Sequence, residues 1–413
     1  MIDPLLTAAA AEYGTPLFVY DLDEIADRVT ALRTVLPARV ELAYAVKANP
    51  SLAVLRRLAG TGVGADVASA GELAAVARAE FSPERIVFTG PGKRDAELAE
   101  AAALPLRAVT VESLGELERL RSAARAGRTR PRVLLRASGR ARPGNVVGAG
   151  DGRFGMRWED LVEAATIAVN ATELELVGLH RFDASNLLDA DALLGAVRET
   201  IGIASRVAGR IGQRIQLIDL GGGLGIPYRH DESPLDLERL AAGLRTLLGD
   251  LDRDAGLAGA SLLLEPGRFL VGPAGAYLVR VIDVKETDAG RVATVDGGVH
   301  HLLRPALVGQ AHRIRLISPP RGHEGAEPVT IGGPLCTALD VLAKGVHLPR
   351  VMPGDLLAIG DAGAYGFTES MPLFLSHPIP AEVVIEDGIA RLARRRLDPE
   401  HFLDLQDAIA IAP

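Results

Sequence analysis

Between about residues 25 and 270 the chain repeats one pattern eight times: a short run of β-branched or apolar residues, then a longer Ala/Leu/Arg/Glu segment of helical period. The runs are "VELAYAV", "VGADV", "RIVF", "RAVTV", "RVLLRA", "LVGLHRF", "IQLIDL" and "SLLLEP". Seven amphipathic stretches such as "AGELAAVARAE" separate them, and "LDEIADRVTALRTVL" precedes the first. Eight strands alternating with helices over about 250 residues is the pattern of a (β/α)8 TIM barrel. A doubly wound open sheet is the main competitor.

Past residue 270 the texture changes. "GAYLVRVIDVKET", "RVATVDGG", "PVTIGGPLC", "GDLLAIGDAGAYG" and "AEVVIEDGIARLARRR" read as strands parted by Gly, Pro and Asp turns. They predict a second, mostly β domain of sandwich-like or barrel-like form, which "PLFVYDL" near the N-terminus could join. The expected division is a barrel over 25–272 and a β domain made of 1–24 plus 273–413. The Gly-rich stretch "SGRARPGNVVGAGDGRFG" is expected to be a mobile active-site segment or a disordered tip.

With 48% apolar residues the chain can build a large core, and its net charge of −8, without basic runs, argues against nucleic acid and anionic membranes as partners. No apolar run would span a bilayer. The single cysteine, Cys336, rules out an intrachain disulfide, and "MIDPLLTAAAAEYG" lacks the features of a signal peptide, so a cytoplasmic enzyme is expected. Lysine is scarce: Lys47, Lys93, Lys285 and Lys344 are the only four among 45 basic residues.

In a barrel, functional groups gather at the C-terminal strand ends. Lys47 closes the first run, Asp66 the second, His180 to Asp183 the sixth, "GGGLG" the seventh and "EPGR" the eighth. A lone lysine is ordinarily a surface group, but at a strand end desolvation would lower its pKa and make it a Schiff-base nucleophile. Glycines 221–223 would let backbone N–H groups approach a phosphate, or would simply make a tight turn. Glu265 could pair with Arg268 or face a pyridinium nitrogen.

"AYAVKANP", "GADVASAGEL", "DLGGGLGIPY", "LLEPGRFLVGPAG", "RPAL", "GPLCTALD" and "GDAGAYG", in this order, resemble the alanine-racemase-fold, pyridoxal-phosphate-dependent decarboxylases that act on diaminopimelate, ornithine and arginine. The resemblance runs from about residue 15 to 390. It implies pyridoxal 5'-phosphate as cofactor, held covalently by Lys47, with no metal. Gly222, Gly223, Gly267, Arg268 and Tyr365 would lie near its phosphate and Glu265 on its ring nitrogen, with Asp66, Arg136, His180, Phe182 and Ser185 around it. It further implies a head-to-tail homodimer in which Cys336 reaches the partner's site as the acid that returns a proton to Cα, with Arg304, Thr337 and Asp340 near the substrate.

Three departures from the family pattern bear on the substrate. Phe182 replaces a ring-stacking histidine, though an aromatic can still stack. Thr337 stands where diaminopimelate decarboxylases carry a glutamate for the distal ammonium, and Val308 where a tyrosine is expected. "GPLCTALD", "GAYGFTES" and "FLSHPIPAEV" are most similar to a subgroup from antibiotic and exopolysaccharide pathways. Some of its members decarboxylate an amino acid tethered through its side-chain carboxyl to an acyl carrier protein. The expected substrate is such a glutamyl- or aspartyl-like group, with the carrier as partner and "RFGMR" and "GRARPG" as candidate basic contacts. The alternatives are a free amino acid such as diaminopimelate or ornithine and, more remotely, a racemase, a non-enzymatic cofactor-binding protein or an inactive regulatory homologue.

Overall fold

A computed structural model describes residues 3–139, 153–318 and 325–406. Most of the stretch expected to be mobile, including all of "GRARPG" but its first glycine, lies outside the described residues. The chain separates into two compact units: one takes residues through Ile25, Tyr228–Glu232 and those from Val271 onward, the other Ala26–Pro227 and Ser233–Leu270.

The first strand, β1 (Leu17–Asp21), belongs to the β unit, and the next eight close the barrel. These are β2 (Val40–Ala45), β3 (Gly64–Val67), β4 (Ile86–Phe88), β5 (Ala108–Val111), β6 (Arg132–Arg136), β7 (Glu175–His180), β8 (Leu217–Asp219) and β9 (Ser261–Leu264). All pairs are parallel, and β9 returns to β2 with Val40 opposite Leu262. Each of the eight apolar runs supplies one strand, so the open-sheet alternative falls.

The barrel is a packed core. Ala43, Val87, Ala108, Leu134, Val177, Leu217 and Leu263, from seven strands, form one buried layer. Burying each of the larger side chains contributes about 1.5–3 kcal/mol. The outer helices follow their sequence signals. Ser69 caps the helix Ala70–Arg78 by accepting from Glu72 N, and Asp236 caps Leu237–Arg253 by accepting from Arg239 N.

The β unit holds β10 (Gly275–Thr287), β11 (Gly290–Val295), β12 (Ile314–Leu316), β13 (Glu327–Gly332), β14 (Val341–Leu348), β15 (Leu356–Ile359), β16 (Ala381–Glu386) and β17 (Ile389–Arg394). In hydrogen bonding it is one nine-stranded sheet, ordered β14-β13-β11-β10-β1-β16-β17 with β15 and β12 branching from β10. The sheet stays continuous because β10 runs for 13 residues: its first part pairs with β1 and β15, and from Val281 onward, across an irregularity at Val281/Asp283, it pairs with β11. A helix at Asp3–Tyr13, not anticipated, buries Leu6, Ala9 and Ala10 against Leu17, Leu278 and Val383 of this sheet.

Candidate active site

Lys47 lies just past β2, in a single 3-10 turn, Val46–Ala48. Its Nζ donates to Asp66 Oδ2 at 2.7 Å, and Thr89 Oγ1 donates to Asp66 Oδ1 at 2.5 Å. The expected desolvation falls on the other partner: the Lys47 side chain is 48% exposed and that of Asp66 1%. Burial and the charge of Glu265 push the Asp66 carboxyl up, while Lys47 and Thr89 draw it down. Lys47 is therefore a reachable amine tethered to a buried acid.

Glu265 follows β9 and is buried, with Oε1 lacking a hydrogen-bond partner among the described residues. Burial acts to raise its pKa, but the neighbouring His180 ring, the Lys47 ammonium and Asp219 outweigh it and hold the group at about 2. His180, the last residue of β7, places Nε2 3.8 Å from Glu265 Oε2, beyond a direct hydrogen bond. Asp219 closes β8. Its Oδ1 accepts from Gly221 N at 2.9 Å, and burial together with the charge of Glu265 pushes its carboxyl well above the usual range. Donor atoms of His180, Asp219 and Glu265 lie within 4.8 Å of one another, an arrangement that could also admit a metal ion.

The glycine loop sits between the ends of β7 and β9. Gly221 (φ +64°) and Gly223 (φ +108°) take left-handed conformations, and a Cβ on Gly222 would stand 2.7 Å from Glu265 O. Phe182 packs its ring on Gly221, where a Cβ would meet Phe182 Cδ2 at 2.9 Å. Ser185 follows in the same β7 loop, half-buried. A Cβ on Gly267 would lie 2.9 Å from that of Ala48, so the bare glycine lets the "EPGR" segment close against the Lys47 turn. Arg268, buried, opens the short helix Arg268–Val271.

Arg136, at the end of β6, is fixed by Glu112: Nη1 donates to Oε1 at 2.6 Å, and Glu112 Oε2 accepts from Gly155 N. Arg136 also lies over the Phe154 ring of "RFGMR", 4.9 Å from its centroid. Deeper in this network Lys93 donates to Gly90 O, Thr110 O and Glu116 Oε1. Glu112, Thr89 and Asp219 escaped the sequence reading. The available signal was an acid placed directly after an apolar strand run, as in "AVTVE" and "LIDL".

In the β unit, exposed Cys336 lies between β13 and β14. Asp340, expected at the substrate, is buried and clamps two loops: Oδ1 accepts from Val299 N at 2.8 Å and Oδ2 from Leu335 N at 2.7 Å. Thr337, partly buried, uses its hydroxyl on Leu339 N within the same turn. Arg304, also expected at the substrate, is buried and engaged by Gln310 Oε1 at 2.8 Å and Glu369 Oε2 at 2.6 Å. Tyr365 faces the Arg304 guanidinium and holds φ +55°, a left-handed conformation unusual for a tyrosine.

Three comparisons bear on this geometry. Residues 22–272 match the family described as "Pyridoxal-dependent decarboxylase, pyridoxal binding domain". The diaminopimelate decarboxylase of Methanothermobacter thermautotrophicus is 37% identical over 96% of this chain and 92% of its own length. The L-glutamyl-[BtrI acyl-carrier protein] decarboxylase of Niallia circulans is 31% identical over 95% and 93%. Among solved structures, diaminopimelate decarboxylase from Helicobacter pylori complexed with L-lysine superposes with a TM-score of 0.88 at 30% identity, covering 97% of this chain and 99% of that one. Among the described residues no helix is long and apolar enough to cross a membrane.

Proposed function

This chain belongs to the pyridoxal-dependent decarboxylases, and from that membership we propose that it removes the α-carboxylate of an acidic aminoacyl group tethered through its side chain to an acyl carrier protein. The chain is a carboxy-lyase that uses pyridoxal phosphate. Its residues fit that cofactor: Glu265 is a buried anion with an unpartnered oxygen among the described residues, and the 221–223 loop has no room for side chains where a phosphate could approach.

When bound, pyridoxal phosphate supplies the electron sink into which the Cα–carboxylate bonding pair flows as carbon dioxide leaves. Lys47 is the amine that carries the cofactor, and Asp66 is placed to take up and return its proton. The Glu265 anion holds a proton at the ring nitrogen. The glycine loop and Arg268 would bind the phosphate. Phe182, packed on Gly221, would stack on the ring, and Arg136, fixed by Glu112, would border it. Cys336 of a second copy returns a proton to Cα.

The observation that carries the substrate reading is the commitment of the nearby acids. Four carboxylates occur on the described loops around Cys336, Arg304 and Tyr365. Asp340 is held by two backbone N–H groups, Glu369 by Arg304, Asp361 by Arg313, and Asp296 accepts from Thr15 Oγ1 and Arg280 N. Thr337 adds no charge. A buried ammonium without a counter-charge is costly, whereas a neutral thioester needs none. Overall similarity supports the second reading, a free amino acid such as diaminopimelate, more strongly than the tethered one.

Mass spectrometry on an acyl carrier protein charged with side-chain-linked glutamate should show loss of carbon dioxide. We expect a kcat/KM at least about a hundredfold above that for free diaminopimelate, ornithine or lysine, equal to about 2.7 kcal/mol. Efficient turnover of free diaminopimelate with none of the charged carrier would establish the second reading instead.

A further inference from the structure

We propose that Arg181 is a positioning residue: bridged to Asp183 across Phe182, it fixes the Phe182 ring against the glycine loop, where that ring would stack on the cofactor. The inference rests on the reading of Phe182 given above and assigns what holds the ring in place. Arg181 directly follows β7, and its N donates to Asp219 O, which carries the pairing of β7 with β8 one step further. Its Nη2 lies 2.8 Å from Asp183 Oδ1 and donates at 3.1 Å to Glu199 Oε2, on the helix Ala190–Ile211. The Arg181 and Asp183 side chains are both buried. Residues 181 and 183 are thus joined to each other, and 181 also to a helix, while the ring between them packs on Gly221.

The rest of the loop is anchored as well. A Cβ on Gly139 would stand 2.6 Å from Phe182 O and 3.1 Å from Asp183 Oδ1, so the chain beyond β6 passes directly beside the bridge. Leu187 N donates to Gly223 O, and Gly225 N to Leu187 O, which ties the far end of the loop to the glycine loop. Between these anchors the bridge sets the direction of Phe182. Stability is a poor reason for the bridge, since a buried ion pair gains little over well-packed apolar side chains. Here Nε and Nη1 of Arg181 are also buried without a hydrogen-bond partner among the described residues, a further cost. What the guanidinium supplies, and an apolar side chain would not, is a directed link from the end of β7 to Asp183 and to the helix.

The rate at which the dialysed holoenzyme loses its pyridoxal phosphate absorbance measures the hold on the cofactor independently of turnover. In Phe182→Ala this rate should rise at least about tenfold. In Arg181→Met, which keeps a long apolar stem but not the bridge, it should rise at least about fivefold. Because Arg181 acts through the ring, the double variant should lose cofactor no faster than Phe182→Ala alone. Arg181→Lys, which keeps a cation opposite Asp183, should recover most of the difference. Multiplied effects in the double variant, or a wild-type rate in Arg181→Met, overturn the proposal. If Arg181→Met fails to fold, Asp183→Ser, which leaves Arg181 its bond to Glu199, takes its place in the same comparison. A wild-type rate in Phe182→Ala removes the ring from the cofactor and the proposal with it. A fast Phe182→Ala beside an unchanged Arg181→Met removes the bridge alone.

Discussion

Lys47 and Lys93 are the two lysines of the barrel, and their surroundings assign them opposite tasks. Lys93 lies in the loop after β4, closer to the strand ends than its place in the sequence implied, but its Nζ is buried and bonded to three acceptors. Burial lowers its pKa while Glu116 opposes that shift, and breaking such a pair would cost about 3–5 kcal/mol. Lys47 instead pairs with Asp66 and keeps its side chain about half exposed. Borohydride reduction of the holoenzyme followed by peptide mapping should therefore label the "AVKANP" peptide. Label on Lys93 would overturn the assignment. The position of Lys47 was legible because a strand run stops at it. Asp219 and Glu112 were not, because an acid after an apolar run looks like any strand terminus until the neighbouring strand end is known. Asp340 and Arg304 were legible as polar residues within the family motifs, but their hydrogen-bond partners lie 5 to 65 residues away and only folding reveals that they are already engaged.

At the scale of elements, the glycine loop after β8 joins the core to the site. Gly222→Ala would press a methyl group against Glu265 O, where 2.7 Å is available, and would force the loop away from the end of β9. We expect pyridoxal phosphate affinity to fall at least about tenfold, or 1.4 kcal/mol, in an absorbance titration of the apoenzyme. Gly195→Ala provides the control, since a Cβ there meets nothing within 4 Å and alanine favours the helix it occupies. Equal affinity in the two variants would remove the loop from cofactor binding. The barrel strands were legible because parallel strands covered on both faces read as continuous apolar runs. The helix Asp3–Tyr13 was not, because its buried stripe is only Leu6, Ala9 and Ala10. The short β12 and the unforeseen β14 depend on partners, β15 and β13, that sequence alone does not supply.

For the whole molecule, the question is whether one chain suffices for catalysis. The loops that carry Cys336 and Tyr365 and the short helix Arg304–Val308 also expose large apolar side chains, among them Leu339 at 61% and Leu307 at 51%, followed by Leu373, Phe374 and Leu375. Covering each would contribute about 1.5–3 kcal/mol, which favours burial against a second copy. If that copy supplies Cys336 to the site built around Lys47, the two defects must complement. Lys47→Ala and Cys336→Ala dimers should each be nearly inactive. In a hybrid dimer, one site combines both substitutions, and the other combines the intact Lys47 of one chain with the intact Cys336 of its partner. Random exchange of equal amounts makes half the dimers hybrid, each with one working site, so activity should return to about a quarter of the wild-type value. A cysteine acting within its own chain would leave a defect in every site, and verified subunit exchange without recovered activity would show that arrangement.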